Sequence, residues 1–211
     1  MTDILQGAWS GLQQTSALEL TAVLLALSYL LLVVREHIAC WLAAAVSTSI
    51  YLYLFFDVGL YAESLLQVYY LGMAGYGYYQ WRLGANRQNL KPIRTWSLQR
   101  HAVVLLVIVT CTLALAELLK VVESQAPYLD AFTTCASIVT TYMVAQKVLE
   151  NWLYWFVIDS ASIVLYLERG LYFTALLFLI YLLIIAVGYS RWRQQYHRQS
   201  SEGAKLEIPE P

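Results

Sequence analysis

The sequence predicts an all-α integral membrane protein with seven transmembrane helices, arranged as two parallel three-helix repeats joined by a linker helix. Three observations predict this fold class. Hydrophobic residues make up 60% of the chain and charged residues only 13%, whereas a soluble domain is roughly a quarter charged. Seven apolar stretches follow one another along the chain. The third and the seventh of these stretches also resemble each other in sequence.

Each apolar stretch approaches the ~20 residues that a helix needs to cross the hydrocarbon core of a bilayer. The stretches cover residues 17–34, 38–56, 60–81, 102–122, 130–147, 152–167 and 171–190. We therefore divide the chain into an extracytoplasmic N-terminal segment (1–16), a first repeat (17–81), a cytoplasmic loop (82–101), the linker helix (102–122), a second repeat (130–193) and a cytoplasmic tail (194–211). The tail contains glycine and prolines and is predicted to be disordered.

Basic residues predict the orientation of the chain, because cytoplasmic loops are enriched in Lys and Arg. Threading seven spans with the N-terminus outside leaves only Lys120 and Arg169 on the outer side. The other 11 of the 13 basic residues fall inside: Arg35, Arg82, Arg87, Lys91, Arg94, Arg100, Lys147, Arg191, Arg193, Arg198 and Lys205. We expect a multi-pass protein with its N-terminus outside and its C-terminus inside.

An internal repeat appears when residues 59–82 are laid on residues 170–193, an offset of 111. The matches include Gly59-Leu60-Tyr61 with Gly170-Leu171-Tyr172, Tyr70 with Tyr181, Gly77-Tyr78 with Gly188-Tyr189, and Trp81-Arg82 with Trp192-Arg193. Because the copies lie four spans apart, they have the same orientation in the membrane, as in the parallel repeats of the SWEET class of transporters.

Upstream of these segments, the pattern favours an offset of 114. That offset aligns Glu36 with Glu150 and Trp41 with Trp155, which implies a difference of three residues in the loop between spans. It also places Ala45 opposite Asp159. The first copy has Gln67 where the second has Phe178. The two copies are therefore predicted to have diverged, with the recognition polarity split between the sixth and third spans.

The sixth span carries the most distinctive polar pattern. Read as a helix, residues 150–172 place five side chains at spacings of 3, 4, 3 and 4, so that all five share one face. They are Trp152, Trp155, Asp159, Ser162 and Tyr166. Two indoles, a carboxylate, a hydroxyl and a phenol facing inward suit a flat cationic ligand. The alternative interpretation is a packing seam with one stray acid.

The third and fifth spans add polar rows with the same helical spacing. The third has Gln67 and Tyr70 on one face, and the fifth has Thr133, Ser137 and Thr140. Hydroxyl groups in membrane helices often bond only to their own backbone carbonyls, so a structural role for the fifth-span residues stays open. The predicted substrate-binding residues are Trp152, Trp155, Asp159, Gln67, Tyr70, Thr133, Ser137, Thr140 and Ser162.

Two segments carry a specific family resemblance. They are GLYAESLLQVYYLGMAGYGYYQW (59–81) and DAFTTCASIVTTYMVAQKVLENWLYWFVIDSASIVLY (130–166). Together they resemble the PnuC family of bacterial nicotinamide riboside transporters, and the resemblance runs from Leu31 to Trp192. It implies a seven-helix homotrimer in the bacterial inner membrane. It further implies facilitated diffusion of an unphosphorylated vitamin-like substrate, followed by trapping through a cytosolic kinase.

The resemblance also assigns residues to the site. In the family, tandem tryptophans and the polar residue after them line the substrate site, which here corresponds to Trp152, Trp155 and Asp159, with Gln67 from the third span. Some nicotinamide riboside transporters have asparagine at the position of Asp159. Related proteins carry thiamine, riboflavin or deoxynucleosides, so the family alone leaves the substrate open.

Charge narrows the choice of substrate. No Lys or Arg lies in the central part of any span, so a phosphate at mid-membrane would meet no cation and would be repelled by Asp159. A carboxylate at a helix centre costs about 2.5 to 3.5 kcal/mol, and a cationic ring can offset part of that cost. Nicotinamide riboside and thiamine both satisfy this condition.

Two other classes of protein compete with a transporter. An enzyme is disfavoured because His37, His101 and His197 lie in loops or the tail, without acidic partners at metal-ligand spacing. We expect no catalytic residue, metal, cofactor or nucleic-acid partner. A receptor that binds without transporting is a further alternative, which uptake assays would distinguish. With no second mid-span acid for ion coupling, passive facilitation is the economical mechanism.

Overall fold

The computed structural model describes residues 16–57, 61–83, 91–121 and 126–206 of the chain. These residues form seven helices, one at each predicted span. The helices are α1 (Ala17–Val34), α2 (Cys40–Asp57), α3 (Tyr61–Leu83), α4 (Leu98–Val121), α5 (Pro127–Ala145), α6 (Asn151–Glu168) and α7 (Tyr172–Leu206). The predicted fold class of seven helices in a 3+1+3 order is confirmed.

Local sequence explains where two of the helices begin. At the start of α1, the Ser16 hydroxyl accepts a hydrogen bond of 3.1 Å from the Glu19 backbone N–H, as an N-cap residue does. At the start of α5, Pro127 occupies the first turn, where its missing N–H removes no helical hydrogen bond.

Four of the seven helices, α1, α2, α4 and α7, are long and apolar enough to cross a membrane by length and composition. Most of their residues lie on the surface of the molecule, as expected for helices solvated by lipid. The other three, α3, α5 and α6, carry the polar residues that the sequence assigns to the substrate site.

Six of the helices form a closed ring. In the described residues, α1 packs on α2, α2 on α3, α3 on α5, α5 on α6, α6 on α7, and α7 on α1. Helix α4 lies outside the ring and packs on α5. The α3–α5 and α7–α1 contacts join the two repeats and occupy equivalent places in them. A site on the inner faces of the ring can therefore draw residues from both repeats.

The repeat predicted from the sequence is present, but its upstream alignment is corrected. Helices α2 and α6 begin at Cys40 and Asn151, α3 and α7 begin at Tyr61 and Tyr172, and α1 and α5 end at Val34 and Ala145. Each pair differs by 111 residues, so the offset of 114 predicted upstream is wrong. The reason is that the loops between the first two helices of each repeat have the same length.

The corrected offset changes which residues correspond. Glu36 is equivalent to Lys147 rather than to Glu150, and Trp41 is equivalent to Trp152 rather than to Trp155. Asp159 corresponds to Thr48, which is also buried. The two copies are therefore more alike in their tryptophans than the sequence alignment indicated.

The C-terminal segment also differs from its prediction. Helix α7 continues to Leu206, so residues 194–206 of the tail predicted to be disordered are helical. The segment lacks the glycines and prolines that break helices until Gly203 and Pro209, and a helix already nucleated in the membrane extends readily into such a sequence. Residues 1–15 of the predicted N-terminal segment (1–16) and residues 207–211 lie outside the described residues.

The larger cluster of buried apolar residues closes one end of the ring, which we call the Lys147 end. Here α1 and α5 end and α2 and α6 begin. Trp41 packs edge-on against Trp81 at a centroid distance of 5.5 Å, and Trp152 packs edge-on against Trp192 at 5.4 Å. These two pairs are equivalent in the repeats, and contact between Trp81 and Trp192 at 6.3 Å joins them. We call these four residues the indole layer.

Candidate functional site

Helix α6 presents its polar row toward the interior, as its spacing predicts. Asp159 is 3% exposed and Ser162 is also buried, although both lie on a helix whose other faces are largely apolar. Trp155 and Tyr166 are partly exposed. The helical spacing of the row therefore places a carboxylate and a hydroxyl within the ring, with aromatic rings along the same face.

The Asp159 carboxylate lies close enough to the hydroxyl groups of Tyr166 and Tyr181 for electrostatic interaction. Among the described residues, no hydrogen bond or ion pair satisfies this carboxylate. A buried carboxylate without a cation is costly, because burial removes water that would otherwise stabilise its charge. Asp159 is therefore the group in the ring with the strongest need for a cationic partner.

Residues of α3 and α5 meet on the other side of the ring. The hydroxyl groups of Tyr70 and Ser137 lie close enough to interact, and the Tyr69 hydroxyl donates a 2.8 Å hydrogen bond to the backbone carbonyl of Ile138. Gln67, one turn before Tyr70 on the same face, is partly buried. The structure thus brings Tyr70 and Ser137 together, as the sequence predicted for residues of one site.

The two threonines predicted on α5 bond within their own helix. The Thr133 hydroxyl donates to the backbone carbonyls of Leu129 and Asp130 at 3.0 and 3.1 Å. The Thr140 hydroxyl donates to the Ala136 carbonyl at 2.7 Å and is fully buried. These bonds favour the structural role that the sequence analysis left open for both residues.

The tandem tryptophans have different surroundings. Trp152 is 1% exposed and belongs to the indole layer, where its ring also covers Gly188. Trp155 is partly exposed and packs against both buried clusters of apolar residues. Packing accounts for Trp152 without a ligand, whereas Trp155 keeps an accessible ring surface.

Sequence reasoning missed three tyrosines that converge on the same region. Tyr29 of α1 lies near Tyr70, Tyr51 of α2 lies near Tyr166, and Tyr181 of α7 lies near Tyr51. The signal for Tyr181 was present in the repeat, where it matches Tyr70. Tyr29 and Tyr51 lie in strongly apolar stretches with no distinctive spacing, so only the ring arrangement identifies them.

Phe178 gives the site an asymmetric wall. Its ring lies 5.2 Å from that of Tyr166 and 5.3 Å from that of Tyr181, which makes a continuous aromatic surface beside Asp159. The equivalent position in the first repeat is Gln67. The second repeat therefore contributes aromatic surface and a negative charge, while the first contributes an amide that can donate and accept hydrogen bonds.

Two grooves elsewhere on the molecule contain none of the predicted site residues. A groove of about 410 Å³ lies between α1 and α2 and includes the exposed residues Val46 and Tyr53. A groove of about 370 Å³ lies between α4, α5 and α6 and includes the exposed residues Leu105 and Val157. Both are apolar and face outward, where lipid would solvate them.

Comparison with known proteins connects this architecture to membrane transport. A family model described as nicotinamide mononucleotide transporter matches residues 16–194. The nicotinamide riboside transporter PnuC of Escherichia coli is 24% identical over 183 residues, covering 74% of this chain and 77% of that protein. The riboflavin/roseoflavin transporter RibM of Streptomyces davaonensis is 29% identical over 140 residues, covering 64% of this chain and 65% of that protein.

The fold also matches a solved structure. The crystal structure of the vitamin B3 transporter PnuC superimposes with a TM-score of 0.69 at 22% identity, covering 93% of this chain and 89% of that one. At this identity the match concerns the fold. The relatives named above are all transporters, in agreement with the expectation of a protein that is not an enzyme.

Proposed function

The chain belongs to the nicotinamide mononucleotide transporter family. From this membership, the similarity to a nicotinamide riboside transporter and the buried Asp159, we propose that its substrate is unphosphorylated nicotinamide riboside. The substrate would bind within the helical ring between the aromatic wall of α6 and α7 and the polar face of α3. Asp159 would be the counter-ion of the pyridinium ring. Gln67, Tyr70, Ser137, Trp155 and Ser162 would complete the contacts.

Asp159 is the observation that carries this proposal. Its carboxylate is buried among aromatic rings and has no ion pair with the described residues. A flat cation stacked on these rings would neutralise the charge and gain cation–π attraction of up to about 2 kcal/mol. The amide of Gln67 is suited to a carboxamide, because both groups donate and accept hydrogen bonds.

The charges of the chain disfavour a phosphorylated substrate, although the matching family model is described by a mononucleotide. Basic residues gather at the Lys147 end, outside the spans. There burial, with Arg94 and Lys147 nearby, lowers the pKa of Lys91 to about 8. A phosphate at the level of Asp159 would meet a carboxylate and no Lys or Arg of the spans' central parts.

Riboflavin is the second candidate, because RibM is a riboflavin/roseoflavin transporter by name and shares 29% identity with this chain. A flavin ring is flat and would stack on the same aromatic wall. It carries no positive charge, however, and would leave Asp159 without a counter-ion. Thiamine is cationic and satisfies Asp159 as nicotinamide riboside does.

We further propose that transport is facilitated diffusion, with phosphorylation in the cytosol preventing the return of the substrate. Asp159 is the one acid near the centre of a span, so the site offers no second carboxylate for a coupled ion. We also propose that the protein lies in the bacterial inner membrane as a homotrimer. Its N-terminus would be outside and its C-terminus in the cytoplasm.

The test is calorimetric binding to the purified wild type and to Asp159→Asn. The ligands are nicotinamide riboside, its neutral analogue reduced at the ring, thiamine, riboflavin and nicotinamide mononucleotide. We expect Asp159→Asn to weaken the binding of nicotinamide riboside by about 1 to 3 kcal/mol, as for the loss of a charge-assisted contact. Binding of the neutral analogue should change little, because it does not use the charge.

Asp130→Asn is the matched control. Asp130 is an acid of the same repeat that pairs with Arg169 at 2.5 Å near the other end of the ring, so its loss should not discriminate between charged and neutral ligands. Equal affinity of the Asp159→Asn variant and the wild type for nicotinamide riboside would remove Asp159 as the counter-ion. Tighter binding of riboflavin than of both cations would favour the second candidate.

A further inference from the structure

Two charged residues occupy backbone positions where glycine is the usual residue. Glu36 has φ +54° and Lys147 has φ +53°, in the left-handed region that L-residues rarely adopt. Each follows the C-cap of its helix in a Schellman motif. His37 and Val148 donate to the carbonyls of Leu32 and Met143 at 2.9 and 3.0 Å.

A third Schellman motif in the protein has glycine, the usual residue, at the left-handed position. After α6, Gly170 takes the left-handed position with φ +71°, and the Leu171 N–H donates to the Tyr166 carbonyl at 2.8 Å. Glycine adopts this conformation without steric cost. The presence of Glu36 and Lys147 at the other two motifs, in spite of this steric cost, therefore indicates a role for their side chains.

The two side chains form an ion pair with each other. Lys147 Nζ lies 2.8 Å from Glu36 Oε2, and the Lys147 side chain is completely buried. The two residues differ by 111 positions and so are equivalent in the two repeats. Equivalent residues meet only where the repeats face each other at their common axis. The pair therefore joins the two repeats at the Lys147 end.

The indole layer lies directly at this pair. Lys147 Nζ is 4.5 Å from the centroid of the Trp81 ring, within the range of a cation–π interaction. The Trp192 indole N–H donates 3.0 Å to the Val33 carbonyl, which ties α7 to the end of α1. The ion pair and the four indoles together fill the ring at this end, so a substrate cannot pass there in this conformation.

We propose that Glu36 and Lys147 form the gate at the Lys147 end, holding the indole layer closed until the two repeats separate. These residues position the repeats and do not touch the substrate. The proposal depends on the transport function of the family and not on the identity of the substrate or on Asp159.

The ion pair should stabilise the closed state because the two charges are solvated differently in the closed and open states. In the closed state, the Lys147 ammonium is buried and Glu36 supplies its neutralising charge. In the open state, water can solvate both groups. Loss of the Glu36 charge therefore leaves a buried, unneutralised cation only when the gate is closed, which favours opening.

Cys40 is a natural reporter of this gate. It is the first residue of α2, is completely buried, and lies close enough to Lys147 for electrostatic interaction. In a Cys111→Ala, Cys135→Ala background it would be the one remaining thiol, since the sequence contains three cysteines. The rate of its alkylation by N-ethylmaleimide in the full-length protein measures how often the end opens.

We expect alkylation of Cys40 to be at least about tenfold faster in Glu36→Gln and in Lys147→Met than in the parent, because each variant destroys the ion pair. The exchange Glu36→Lys with Lys147→Glu should return the rate toward that of the parent. Affinity for nicotinamide riboside should stay within about threefold of the parent in Glu36→Gln, while its uptake rate in proteoliposomes changes.

Gly170→Ala is the matched control for loss of stability. It strains the third Schellman motif, where an added Cβ meets no neighbouring atom but φ is +71°, without touching the ion pair. It should lower the melting temperature and leave Cys40 protected. Asp130→Asn, which breaks an ion pair elsewhere, should also leave Cys40 protected.

Unchanged alkylation in both single variants would overturn the proposal. Faster alkylation that the exchange of charges does not reverse would also overturn it, because the gate would then not depend on attraction between the two side chains. Absence of nicotinamide riboside uptake by the parent would refute the proposed substrate alone, since the labelling assay uses no substrate.

Discussion

Trp152 and Trp155 lie one helical turn apart, yet their surroundings differ. Trp152 is enclosed by Gly188 and Trp192, whereas Trp155 keeps part of its ring accessible. Fully buried aromatic residues contribute mainly to stability, and accessible rings beside a buried charge are suited to stacking on a ligand. The two positions should therefore respond differently to truncation.

We predict that Trp152→Ala lowers the free energy of unfolding by about 3 to 5 kcal/mol, as expected for the loss of a buried aromatic side chain. Trp155→Ala should instead weaken ligand binding more than Trp155→Phe, because phenylalanine preserves a stacking surface. Thermal unfolding in detergent and calorimetric binding measure the two effects. A Trp152→Ala protein with normal stability and weakened binding would assign Trp152 to the ligand site.

The sequence predicted the inward face of α6 correctly, because a row at helical spacing stands out against apolar neighbours. It could not separate Trp152 from Trp155, since both lie on that face and only tertiary packing distinguishes them. The left-handed backbone of Glu36 and Lys147 and the ion pair between them could not be predicted from the sequence either. A left-handed backbone has no reliable sequence signature when the residue is not glycine, and their partnership spans 111 positions.

At the scale of the elements, two glycines determine how closely helices pack in each repeat. A Cβ added to Gly77 would lie 2.3 Å from the Trp41 ring, and one added to Gly188 would lie 2.5 Å from the Trp152 ring. Both glycines were matched to each other in the sequence repeat. Their physical role becomes clear only when the equivalence of Trp41 and Trp152 is known.

We predict that Gly77→Ala destabilises the protein by about 1 to 3 kcal/mol, because the indole beneath it cannot move within the packed layer. Gly188→Ala should have a similar effect in the second repeat. Gly75→Ala is the control on the same helix, since a Cβ there meets no atom within 4 Å, and it should be neutral or stabilising by up to about 1 kcal/mol. Thermal unfolding of the three variants is the measurement, and equal melting temperatures for Gly77→Ala and Gly75→Ala would contradict the packing argument.

At the scale of the whole molecule, the two ends of the ring differ in charge. Lys120 and Arg169, the basic residues assigned to the outer side, each pair with a carboxylate: Lys120 with Glu117 at 2.7 Å and Arg169 with Asp130 at 2.5 Å. The other basic residues of the described helices lie toward the Lys147 end. At the Lys147 end, Lys147 itself pairs with Glu36 at 2.8 Å. The predicted orientation therefore rests on the larger number of basic residues at that end, because cytoplasmic ends are enriched in Lys and Arg.

This orientation also decides where the proposed gate lies. With the N-terminus outside, the first span ends on the cytoplasmic side, so the Glu36–Lys147 pair and the indole layer would close the cytoplasmic exit. The helix count follows from apolar length, the repeat from sequence identities at an offset of 111, and the predicted orientation from charge placement, and all three are properties of the sequence. The closure of six helices into a ring is not, because it depends on contacts between α7 and α1 and between α3 and α5.

We predict that a fluorescent protein fused after Lys205 is active, as expected for a cytoplasmic C-terminus. A periplasmic reporter such as alkaline phosphatase should be active when inserted after Asp57 and inactive when inserted in residues 84–90, because two successive loops of a membrane protein lie on opposite sides. The two insertions use the same reporter and so control for its expression. Phosphatase activity of the insertion in residues 84–90, with no activity of the insertion after Asp57, would reverse the predicted orientation. The Glu36–Lys147 gate would then lie on the outer side. The ion pair would still join the two repeats, but it would then control entry of the substrate rather than its release.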